Sequence, residues 1–65
     1  MADLKEEVFN LVDAQPERMM QIVAIQDHIR EQFIEHHAGE IRYAIRMLLD
    51  EGRARLNSGN ILVLN

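Results

Sequence analysis

Apolar residues recur at helical spacing near the start of the chain. Leu4, Val8, Leu11 and Val12 stand at i, i+4, i+7 and i+8, which is one face of a helix. Asp3 precedes them and Glu6 follows it by three residues, the spacing of a capping box. Pro16 drives the residue before it out of helical geometry, so the first helix is predicted over about 3–14. Ile22, Ile25, Ile29 and Phe33 form the stripe of a second helix, predicted over about 22–34. A short extended piece at Met19–Gln21 fits the connection between the two.

The third stripe is the most regular. Ile41, Ala44, Ile45, Leu48 and Leu49 repeat at i, i+3, i+4, i+7 and i+8, and Gly52 supplies a left-handed cap. That helix is predicted over about 38–51. The period then changes to two. Arg53-Ala54-Arg55-Leu56 alternates polar and apolar, Asn57-Ser58-Gly59-Asn60 is a turn, and Ile61-Leu62-Val63-Leu64 returns as a strand. The hairpin is predicted over about 53–64. The expected fold is mainly α with a small β-hairpin, an α+β domain spanning residues 1–65.

Length and composition narrow the function. Sixty-five residues make one small domain with little room for a water-excluded pocket. There is no cysteine, no threonine and one serine, Ser58, which lies in a turn; the glycines, at 39, 52 and 59, make no phosphate-cradling loop. A non-enzymatic chain without cofactor is therefore expected. No apolar run approaches the ~20 residues of a membrane span, and the acidic start lacks a signal-peptide pattern. With no cysteine, this suits a cytoplasmic setting and argues against a membrane partner.

Charge divides the chain. The net charge is −4, but residues 1–35 carry −5 and residues 36–65 carry +1. The later bases are Arg42, Arg46, Arg53 and Arg55.

The order helix, extended piece, helix, helix, strand, turn, strand resembles the winged-helix variant of the helix-turn-helix fold. The run Ile41-Arg-Tyr-Ala-Ile-Arg-Met-Leu-Leu-Asp-Glu-Gly-Arg-Ala-Arg-Leu56 carries most of the likeness, with its amphipathic helix, acidic pair, glycine and basic strand. The resemblance implies three helices and a C-terminal two-stranded wing. It also implies a small DNA-binding transcription regulator that places residues 38–47 in the major groove of double-stranded DNA. Two features depart from the family pattern. His36-His37-Ala38-Gly39 stands where Ser or Thr often opens the third helix, and the chain is acidic.

Projected at ~100° per residue, Gly39, Arg42, Tyr43, Arg46 and Asp50 fall opposite the apolar stripe of the third helix. Arginine forks suit guanine edges and phosphates alike, and Gly39 permits close approach. Arg53 and Arg55 share one face of the hairpin and would brace the backbone, with Asn57 and Asn60 at its tip. The candidate DNA-binding residues are thus His37, Gly39, Arg42, Tyr43, Arg46, Arg53, Arg55 and Asn57. The same residues also suit a plain solvated helix face, with Arg46–Asp50 as an i,i+4 pair worth about 0.3–0.5 kcal/mol, and a charge-guarded edge strand.

His28, His36 and His37 are badly spaced for one metal ion, so no metal site is expected; the His36–His37 pair instead offers a charge change near neutral pH. Phe9, Val23 and Ile34 lie off their helical stripes, and Met47 lies at the edge of the third. They are either ordinary core of a small domain or an interface for a partner, including a second copy in a homodimer. The alternative to DNA binding is an acidic protein-interaction module of the same fold, of which a phage-type inhibitor of a nucleic-acid enzyme is a special case. Its negative first half would receive a basic partner.

Overall fold

A computed structural model describes residues 3–32 and 38–65. Helix α1 runs Leu4–Asp13, a single 3-10 turn covers Pro16–Arg18, and strand β1 follows at Met19–Gln21. Helix α2 covers Ile22–Gln32, helix α3 Ala38–Asp50, strand β2 Ala54–Asn57 and strand β3 Ile61–Leu64. The architecture is α+β, three helices with an antiparallel three-stranded sheet in the order β1-β3-β2.

The sheet corrects the two-stranded expectation. Met19–Gln21 pairs with β3, placing Met19 opposite Val63 and Met20 opposite Leu62. On the other side of β3, Arg55 faces Val63 and Leu56 faces Leu62. The extended piece before α2 is thus an edge strand, and β3 is central. Its apolar residues satisfy backbone groups on both sides.

Asp3 caps α1, accepting from the Lys5 amide at 3.3 Å. The other half of the expected capping box is not made, because the Glu6 carboxylate is engaged by Arg53. Gly52, at φ 74°, closes α3. Its amide donates to the Leu49 carbonyl and the Arg53 amide to the Leu48 carbonyl, a Schellman arrangement that launches β2 back along the helix. Ser58 and Gly59 both take positive φ in the hairpin turn.

The core gathers Val8 and Val12 of α1, Ile25 and Ile29 of α2, Ile41, Ala44, Ile45 and Leu48 of α3, and Ala54, Leu62 and Leu64 of the sheet. Each comes from a predicted stripe or strand. Leu49 is only half-buried, at the edge of a groove described below. Leu56 lies two residues along β2 from the buried Ala54 and is itself 43% exposed.

Candidate functional site: a groove between the last two helices and the hairpin

The late arginines do not converge. On α3, Ile45, Leu49, Arg42 and Arg46 form one flank, and this flank borders a groove of about 520 Å³. Ile22, Val23 and Gln26 of α2 close it on one side; Leu56, Gly59 and Asn60 of the hairpin close it on the other. Arg42 and Arg46, one helical turn apart, stand on its wall. No carboxylate lines it among the described residues, although the chain as a whole is acidic. Asp50 comes near from the end of α3, with its Oδ1 3.7 Å from Arg46 Nε, beyond hydrogen-bond distance.

Arg53 is elsewhere. Its Nη1 donates to Glu6 Oε2 at 2.7 Å and its Nη2 to Glu6 Oε1 at 3.1 Å, a two-pronged pair across to α1. Nη1 also donates to Glu51 Oε1 at 3.4 Å, and the guanidinium lies 4.3 Å from the centre of the Phe9 ring. Lys5 Nζ completes the cluster by donating to Glu51 Oε2 at 2.6 Å. The Arg53 hydrogen bonds hold Glu6 below its ordinary pKa, and the Lys5 hydrogen bond does the same for Glu51. Lys5 and Arg53 are pushed up in turn, each chiefly by its hydrogen bond to a glutamate.

Two of the candidate residues, Arg53 and Phe9, lie in this cluster. Arg53 is not a free cation beside α3, since α1 supplies the carboxylate it meets. Phe9 is not an open partner patch, since it is half-buried against the core and covered by that guanidinium. Arg55 also departs from the convergent face. Neighbouring residues of a strand point to opposite sides, so with Leu56 turned into the groove, Arg55 leaves from the other face of the sheet, across from Val63.

The remaining candidates are placed as follows. Gly39, Tyr43 and Asn57 are exposed, Tyr43 at 68%. Val23 is 63% exposed on the groove rim, while Met47 is half-buried. His37 and Ile34 lie outside the described residues. Among the described residues no group of acidic and histidine side chains has the arrangement of a metal site, and no helix is long and apolar enough to cross a membrane. Periodicity marked Val23 as displaced from its stripe, but nothing in the sequence pattern marked the groove itself. Its α2 and hairpin walls are brought together from positions thirty or more residues apart.

Compared with models of protein families, with curated proteins and with solved structures, the chain matches none.

Proposed function

We propose that this chain is a non-enzymatic protein-interaction module built on a winged-helix scaffold, and that α3 and the hairpin present its docking side. The helix order and the sheet order β1-β3-β2 support the scaffold. The observation that carries the function is the dispersal of the four arginines. Only Arg42 and Arg46 share the groove, Arg53 is clamped to Glu6 and Glu51, and Arg55 leaves the opposite face of the sheet. A duplex reader gains most of its affinity by neutralising phosphates, and two cations are few for that task. In contrast, the three large apolar side chains that are exposed among the described residues are Val23, Tyr43 and Leu56. Val23 and Leu56 line the groove, and Tyr43 stands next to Arg42 on α3. Exposed apolar and aromatic groups beside arginine are the composition of protein-binding surfaces.

A second reading, duplex DNA binding through α3, is favoured by one observation: Arg42 and Arg46 lie on the side of that helix left uncovered by the core. The two readings part in a titration with mixed-sequence duplex at rising salt. Weak binding with a shallow salt dependence is the result expected of the docking module. Tight binding with a steep dependence belongs to a DNA-binding regulator and would replace it.

A further inference from the structure

We propose that the groove between α2, α3 and the hairpin docks an acidic protein segment anchored by an apolar side chain, with its carboxylates on Arg42 and Arg46 and its anchor between Val23 and Leu56. This rests on the protein-docking reading and adds the site and the chemistry of the partner.

Val23 on the first turn of α2 and Leu56 on β2 border one depression from opposite sides, at 63% and 43% exposure. Ile45 and Leu49 are also part of its wall. Exposed apolar residues scattered singly are ordinary, whereas two that flank a concave site offer contact area with little ordering cost. A volume of about 520 Å³ lies within the ~300–1,000 Å³ typical of sites that enclose small groups. It therefore fits one or a few side chains of a segment rather than the flat face of a domain.

Charge selects the segment. The surface of a chain with net charge −4 repels an acidic partner in general, but the groove presents two guanidinium groups and no carboxylate among the described residues. Attraction is then local to the groove, which fixes where such a segment docks. Arginine forks match carboxylates in geometry. The Asp50 carboxylate, at 3.7 Å from Arg46, makes no hydrogen bond that an incoming carboxylate would have to break. A phosphate backbone could use the arginines but would gain nothing from Leu56, and that difference separates the two kinds of ligand.

The test is a nitrogen-15 chemical-shift titration of the full chain with a pool of peptides in which leucine or phenylalanine is flanked by aspartate and glutamate. A matched pool carries lysine in place of the acids. The expected result is that amides of Val23, Arg42, Arg46 and Leu56 move with the acidic pool and not with the basic one. Leu56→Ser and Val23→Ser, both at exposed positions, should each weaken binding about tenfold. The double change Arg42→Gln with Arg46→Gln should also weaken it about tenfold. The inference is overturned if the acidic pool moves none of these amides, or if the serine variants bind it unchanged. Shifts on α1 with the basic pool would overturn it too, while leaving a protein-docking module in place. Tight, steeply salt-dependent duplex binding that is indifferent to Leu56→Ser would remove the underlying reading as well.

Discussion

The number of phosphates this chain can neutralise is set by where its arginines point, and salt measures that number. For double-stranded DNA, log K falls with log salt at a slope of about −0.9 per phosphate neutralised. Arg42 and Arg46 alone, on the groove wall, give a slope of about −1.8, or a ~12-fold loss between 50 and 200 mM salt. Were Arg53 and Arg55 to join them, the slope would be about −3.6 and the loss ~150-fold over the same interval. The assay is fluorescence anisotropy of a labelled duplex, repeated with Arg53→Gln and Arg42→Gln. The expected outcome is weak affinity with the shallower slope. Arg53→Gln should leave that slope unchanged, because its guanidinium is already held by Glu6 and Glu51. Arg42→Gln should reduce it by about 0.9. A ~150-fold loss, with a slope that Arg53→Gln makes shallower, would refute the reasoning. It would mean that phosphate strips Arg53 from its carboxylates.

Three further outcomes concern the fold. Leu62 is fully buried at the centre of the sheet, between Met20 and Leu56 in register; Leu62→Ala should cost about 2–5 kcal/mol in a urea melt, and a cost under about 1 kcal/mol would contradict the pairing. Glu17 holds φ at 62° beside Pro16, a conformation that burdens any side chain and spares glycine, so Glu17→Gly should raise the midpoint of that melt, and a lowered midpoint would argue against the left-handed backbone. Glu6 and Glu51 are held below the ordinary glutamate value of 4.5 by Arg53 and Lys5. A carboxylate depressed on folding adds stability above its unfolded pKa and loses it as pH falls through the folded one. Thermal stability should therefore decline as pH drops below about 4.5 and decline less in Glu6→Gln; an identical acid profile for both proteins would disprove the contribution of the cluster.

Much of the architecture is a local matter, and the sequence carries it. The stripe Ile41, Ala44, Ile45, Leu48 faces the core because helical spacing leaves it no other face, and Gly52 ends the helix because its positive φ costs glycine little. The two C-terminal strands follow from a change of period at Arg53. Pairing of Met19–Gln21 with β3 was less legible, since three residues carry too short a pattern to name a partner. The candidate site was read in part. Arg42 and Arg46 could be placed on the exposed side of their helix by spacing alone, and that is where they are; spacing left Val23 open between core and surface, and the fold exposes it.

By itself, then, the amino-acid sequence determined the three helices, the hairpin and the core-facing stripe of each helix, since each depends on contacts within one turn or across one tight turn. Only the tertiary structure decided which charges remain available. Arg53 meets Glu6 across a separation of 47 residues, and Arg55 turns away because Leu56 turns into the groove. The groove itself belongs to the same class, because α2, α3 and the hairpin contribute walls that no local pattern relates. A side chain's partners depend on distances in space between segments remote in sequence, and packing of the whole core sets those distances.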